Sequence, residues 1–220
     1  MAEQLTVPQA FALLLTEPDG RRAVDASRFD AGLAGAVLAD LALRGAVSLD
    51  GKLVRVVNGA PVGNGVLDAV VGTIAASGTP RKAKWWVSKL GGRQLRDDVA
   101  AELVQAGLLT EQQRKTFGIF PSTAYPERDG RPEMALRTTV LEVLDGRTTP
   151  TPFTAATIAL LDATGSLRQQ FGKVDKARVQ DITLGTWASP AVKAVLQDIQ
   201  TTAAMAGVLA ATTAATVASS

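Results

Sequence analysis

Apolar positions along this chain recur mostly at three- and four-residue intervals, the period of helices with one buried face. The densest run is Arg28 to Gly45, RFDAGLAGAVLADLALRG. Leu33, Val37 and Leu41 stand four apart, and Leu38 widens their stripe. Asp25 or Ser27 can cap the start, and Gly45 suits a left-handed end. The other faces are small, not polar: Ala31, Gly32, Ala34, Gly35, Ala36, Ala39 and Ala42 surround the stripe. Asp40 is the only charge between Asp30 and Arg44. A helix that is apolar or small all round is buried on all sides, and small residues let its neighbours come close. The run predicts a central core helix.

The remaining elements follow in order. A short helix starts at Thr6-Val7-Pro8 and reaches about Leu14, and Glu17-Pro18-Asp19-Gly20 is a turn. After Gly45 the period switches to two, with Val47, Leu49, Leu53, Val54, Val56 and Val57 around Asp50-Gly51, which predicts a hairpin. Residues 58–64 form a loop rich in Gly and Pro. Asn64 caps a helix with Val66, Leu67, Val70, Val71 and Ile74 on one stripe, ended by Ser77-Gly78. A helix from Thr79-Pro80 carries Trp85, Trp86 and Leu90 until Gly91-Gly92 breaks it. The next runs from Arg93 to Ala106, with Leu95, Val99, Leu103 and Val104 inward and Gly107 as terminator. Thr110 begins a further turn of helix. Phe117 to Tyr125, FGIFPSTAY, reads as a hairpin or an exposed loop. Helices from Pro132 through Leu144, from Thr151-Pro152 through Leu161, from Asp175 to Leu184 and from Pro190 to about Val217 complete the chain. No fixed-period repeat, charged tail or long linker is visible. The expected fold class is mainly α, a single domain over residues 1–220 with one or two small β-hairpins.

Composition narrows the chemistry. With 220 residues and 46% apolar content the chain can bury a real core. It has no cysteine and no histidine, which removes disulfides, thiolate metal sites, Ser-His-Asp triads and His-based zinc sites. No cofactor and no metal site are expected. The net charge is +2, so attraction to anions has to come from clustering. Met1 to Thr6 carries no cationic region of the signal-peptide type, and Gln200 to Ser220 is too rich in Ala and Thr for a membrane span. A cytoplasmic location is the expectation, consistent with a chain free of cysteine.

Clustering occurs in Arg81 to Arg96, RKAKWWVSKLGGRQLR, where Arg81, Lys82, Lys84, Lys89, Arg93 and Arg96 precede any acid. Arg93 and Arg96 share a helix face. They also occupy the first turn, where the macrodipole disfavours cations. An anion bound there, met by the N–H groups after Gly91-Gly92 and by both guanidiniums, would offset that conflict, and phosphate is the natural candidate. The plainer alternative pairs Arg93 with Asp97 four residues on and leaves the rest solvated. Trp85 and Trp86 read better as core anchors than as ligand contacts, at least one of them buried. Phe117, Ile119 and Phe120 either dip into a bilayer interface or pack beneath their hairpin. Catalytic constellations are weak: Asp97 and Asp98 point apart on a helix, Gly63-Asn64-Gly65 lacks a nucleotide-binding context, and there is no P-loop. A winged-helix DNA reader is disfavoured because its recognition helix would be almost uncharged.

The residues also match a known family. GLAGAVLADLALRGAVSL, at Gly32 to Leu49, resembles the signature core helix of the Golgi phosphoprotein 3 family. LTVPQAFALLL precedes it; APVGNGVLD, the Trp85-Trp86 segment, RQLRDDVAAELVQAGLLT, FGIFPSTAYP and ATIALLDATGSLRQQF follow in the family's order. The likeness covers nearly the whole chain, which looks like a bacterial, actinobacterial-type member without the long eukaryotic N-terminal extension. The resemblance implies a core helix bundle ringed by amphipathic helices, a hairpin used for membrane contact or self-association, and binding to phosphatidylinositol 4-phosphate. In eukaryotic members a Trp, an Arg of the signature helix and two Args of a later helix grip the headgroup. The two helical Args fall on Arg93 and Arg96; the signature Arg falls on Ala34, and the Trp near Asp25 to Ser27.

The expected function is therefore that of a non-enzymatic protein, peripheral on the inner face of the membrane, which binds anionic phospholipid headgroups. Arg93 and Arg96 would grip phosphate, Lys84 and Lys89 would add field, and Phe117, Ile119 and Phe120 would insert. Possible partners are a protein and a second copy of the chain through the hairpin, with nucleic acid not expected. The alternative is a soluble scaffold or regulator that uses the same basic face for an acidic protein or a nucleic acid.

Overall fold

The computed structural model of the chain describes residues 5–116, 120–185 and 197, with backbone alone at 115, 116 and 120–122. The architecture is mainly helical. Helix α1 spans Val7–Leu14 and α2 Ala26–Leu43; strands β1 (Val47–Asp50) and β2 (Leu53–Val56) follow. Then come α3 (Gly65–Ala76), β3 (Arg81–Lys82), α4 (Ala83–Leu90) and α5 (Arg93–Gln105). Strands β4 (Gln112–Thr116) and β5 (Phe120–Ala124) precede α6 (Arg131–Leu144), α7 (Pro152–Ala163), α8 (Leu167–Phe171) and α9 (Lys176–Leu184).

Helix α2 is the axis that the sequence implied. Asp25 caps it by accepting the N–H of Arg28 at 3.0 Å, and Gly45 turns left-handed after it, with φ of 70°. Every residue from Gly32 to Ala42 is buried. Helices α1, α3, α4, α5 and α7 all pack on it. The absence of a side chain at Gly32 admits Phe11 of α1, whose ring would lie 2.2 Å from an added Cβ. Buried Asp40 is the one charge in this seam. It accepts the N–H of Val7 at 2.6 Å and Arg44 Nε at 2.5 Å. Val7 opens α1, so Asp40 also satisfies one of the donors that a helix start leaves unpaired. Helix α7 is likewise buried from Thr154 to Leu161 and packed on α2. Its capping box joins Thr151 and Thr154.

Three local expectations are corrected. Residues 81 and 82 were expected inside a helix from Thr79, but they form β3, which pairs antiparallel with β2 (Val54 opposite Arg81, Leu53 opposite Lys82). The hairpin β1-β2 left an open edge, and pairing on that edge satisfies backbone groups better than a first helical turn after Pro80. The helical turn expected at Thr110 is instead the approach to β4. Leu109 bridges Glu127, and Gln112 pairs with Ala124. The second hairpin therefore starts five residues earlier than Phe117. Helix α8 was not foreseen; at five residues it is too short to show a period.

Two of the helical glycines, Gly32 and Gly72, generate opposite predictions for the same substitution. Gly32→Ala should destabilise the protein by about 1–3 kcal/mol through overpacking against Phe11 and Thr164. At Gly72 of α3 an added Cβ meets nothing within 4 Å, so Gly72→Ala should stabilise by about 0.5–1 kcal/mol. Urea denaturation of both variants checks the pair of signs.

Candidate anion-binding site

Helix α5 begins against the first turns of α2. The link between α4 and α5 is so close there that a Cβ on Gly91 would lie 3.1 Å from the carbonyl oxygen of Asp30. Gly92 follows with φ of 152°, outside the range of ordinary side chains, and α5 starts with no side-chain cap and no acid in its first turn. This approach delivers Arg96 to Asp30. Arg96 Nη1 donates to Asp30 Oδ1 with both side chains about one-fifth exposed, at 21% and 20%. One turn earlier, Arg93 Nε donates to Asp97 Oδ2 at 3.3 Å, and Arg93 is 75% exposed. The local pairing offered as the alternative to an anion site is thus present for Arg93. It is long and exposed, and ion pairs of that kind hold their partners weakly.

Arg93 and Arg96 both line a cavity of about 260 Å³ between α1, α2, α5 and β5. Its floor is apolar, made by Phe29 and Leu33 of α2, Ala100 and Leu103 of α5, and Leu109. Its polar wall adds Asp97, Tyr125, Thr123 and, from the loop after α1, Arg22. Burial pushes the Tyr125 phenol above its ordinary pKa, and the carboxylates of Asp97 and Glu111 push it further. The Arg93 guanidinium pulls the other way without reversing the shift, so the phenol keeps the neutral form that an ordinary tyrosine has near pH 7.

The other residues singled out from the sequence lie elsewhere. Lys84 and Lys89 stand exposed on α4, outside the cavity lining. Trp86 of α4 is buried while Trp85 is 40% exposed, with the Arg81 guanidinium 5.3 Å from its ring centre. Phe117 and Ile119 lie outside the described residues, and Phe120 is described only as backbone of β5. Ala34 is fully buried in the core. Asp25 is committed to the cap of α2. Burial pushes its carboxyl up, but the Arg28 N–H and guanidinium outweigh that and hold it below its ordinary value.

Sequence reasoning missed Asp30 as the partner of Arg96, and Tyr125 and Arg22 as cavity groups. Asp30 and Tyr125 carried no local signal, since each meets α5 only through the fold. Arg22, next to the Pro-Asp-Gly turn, belongs to no motif or charge cluster in the sequence.

The family model described as Golgi phosphoprotein 3 (GPP34) matches residues 7–199. The chain belongs to the Golgi phosphoprotein 3 family. No curated protein gives a significant match. In this member of the Golgi phosphoprotein 3 family the matched region contains every described element from α1 to α9. Among the described residues no helix is long and apolar enough to cross a membrane.

The two ion pairs generate a contrast in stability. Asp30→Asn leaves Arg96 without its partner in a partly buried position, and should cost about 1–3 kcal/mol. Asp97→Asn should change stability by less than about 0.5 kcal/mol, because Arg93 is largely solvated. Chemical denaturation of the two variants side by side measures the difference.

Proposed function

We propose that this member of the Golgi phosphoprotein 3 family is a non-enzymatic peripheral membrane protein. It binds anionic phospholipid headgroups, of the phosphatidylinositol 4-phosphate type, at the cavity between α2 and α5. The observation that carries this is the convergence of Arg93 and Arg96 on one 260 Å³ cavity at the uncapped start of α5. Two guanidiniums beside free helix-start N–H groups suit a phosphate. The volume suits a headgroup, not acyl chains, because pockets that enclose whole drug-sized ligands start at about 300 Å³. The chain's family supports the same ligand class.

Field beyond the cavity comes from Arg81, Lys82, Lys84 and Lys89, which are exposed and make no ion pair among the described residues. Near an anionic leaflet each such cation contributes about 1 kcal/mol. Phe117, Ile119 and Phe120 are proposed to enter the bilayer interface, since in the sequence they are the large apolar residues between Thr116 of β4 and Pro121 of β5. The same hairpin is the proposed surface for a second copy.

Co-sedimentation with vesicles tests the proposal. Wild-type protein should bind phosphatidylcholine vesicles that carry phosphatidylinositol 4-phosphate, and binding should weaken steeply as salt rises. Arg93→Ala/Arg96→Ala should bind at least about tenfold more weakly with unchanged far-UV circular dichroism. Equal binding by the double variant contradicts the assignment. Salt-dependent binding to DNA with none to vesicles would favour the nucleic-acid alternative.

A further inference from the structure

Charge accounting within the cavity singles out one residue. Arg93 is paired with Asp97 and Arg96 with Asp30, so neither helical arginine presents an uncompensated charge. Arg22 lines the same cavity, is exposed, and makes no ion pair among the described residues. Its backbone is fixed. Arg22 bridges Thr16 across the turn, Arg21 O accepts the N–H of Glu17 at 2.7 Å, and Ala23 N donates to Leu15 O at 2.9 Å. The turn itself is pressed on the strand side of the cavity. A Cβ on Gly20 would lie 2.8 Å from the backbone of Tyr125 and Pro126, and Glu127 N donates to Pro18 O at 3.0 Å. A turn held by these bonds thus brings a cation without an ion-pair partner to the same cavity as two paired ones.

We infer that Arg22 is the primary anion-binding residue of this cavity, and that Asp97 is a built-in counter-ion which an incoming phosphate displaces from Arg93. The inference rests on the proposed headgroup site and deepens it. The anion enters on the uncompensated charge of Arg22. It then competes with Asp97 for Arg93, whose pair is long and solvated, while the more enclosed Arg96–Asp30 pair holds the wall in place. A phosphate monoester carries about 1.5 to 2 negative charges near pH 7. It can satisfy Arg22 and Arg93 together, whereas a diester with a single charge gains less from displacing Asp97. The cavity should therefore prefer phosphate monoesters to diesters. Arg22 occupies neither of the positions that the family's signature Arg and Trp fall on, Ala34 and Asp25 to Ser27.

The test uses the full chain and three probes. These are phosphatidylcholine vesicles with phosphatidylinositol 4-phosphate, the same vesicles with phosphatidylglycerol, and inorganic phosphate followed by calorimetry. Arg22→Gln should weaken binding to the monoester vesicles about tenfold and Arg22→Glu should abolish it, while Arg22→Lys should recover much of the loss. Asp97→Asn should strengthen binding about threefold and narrow the preference for monoester over diester. Arg22 and Asp97 are surface groups, so unfolding should not intervene, and far-UV circular dichroism checks that. Competition by inorganic phosphate at the affinity of the vesicles would identify free phosphate as the ligand; competition only at far higher concentration would identify the lipid. Either supports the role of Arg22. Unchanged binding by Arg22→Gln with loss in Arg93→Ala/Arg96→Ala overturns the inference and leaves the headgroup site standing. Absence of binding by wild-type protein to all three probes overturns both.

Discussion

Enclosure of α2 on every side is the constraint from which the rest of this structure follows. A helix buried from Gly32 to Ala42 needs close neighbours on every face, and its small residues permit them. Phe11 occupies the space over Gly32, and Asp40 ties the start of α1 to the same helix by accepting the Val7 N–H. Because Asp40 is buried, its charge is tolerable only with those donors and Arg44 around it. The arrangement leaves the first turns of α2 free to receive the start of α5, and that junction is where the charged groups gather.

The cavity therefore combines two kinds of surface with different origins. Its apolar floor is the margin of the core, contributed by Phe29, Leu33 and Leu103. Its polar wall comes from a helix start that carries cations against the sense of its dipole and from a turn that carries one more. The conflict at the helix start is relieved in part by Asp97 and Asp30. What remains for a ligand is the difference between three arginines and their two aspartates. A site of that kind should discriminate by charge more than by shape.

Much of the fold was legible because its signals are local. Asp25, Asn64 and Thr151 cap the helices they precede, each accepting a backbone N–H from the first turn. The burial of Trp86 beside an exposed Trp85 fits the expectation that at least one of them anchors the core. Strand β3 was not legible, since two residues become a strand only when a neighbouring edge is offered to them. The helical turn expected at Thr110 fails for the same reason: pairing with β5 from Gln112 onward overrides the local preference. At the site, Arg93 and Arg96 were visible as cations three apart in the wrong turn of a helix. Arg22 was invisible, because only the packing of Gly20 on Tyr125 brings its turn to α5.

The central claim is that a phosphate enters the cavity between α2 and α5 and is held by Arg22 and Arg93. Side-chain Nε–H resonances of isotope-labelled arginine, followed by nuclear magnetic resonance during titration with the soluble headgroup of phosphatidylinositol 4-phosphate, test it most directly. The account predicts shifts at Arg22 and Arg93, a smaller one at Arg96, and none at Arg44 or Arg137, which are held by Asp40 and Glu133 away from the cavity. Shifts confined to arginines outside the cavity, or no shifts at all, would contradict it.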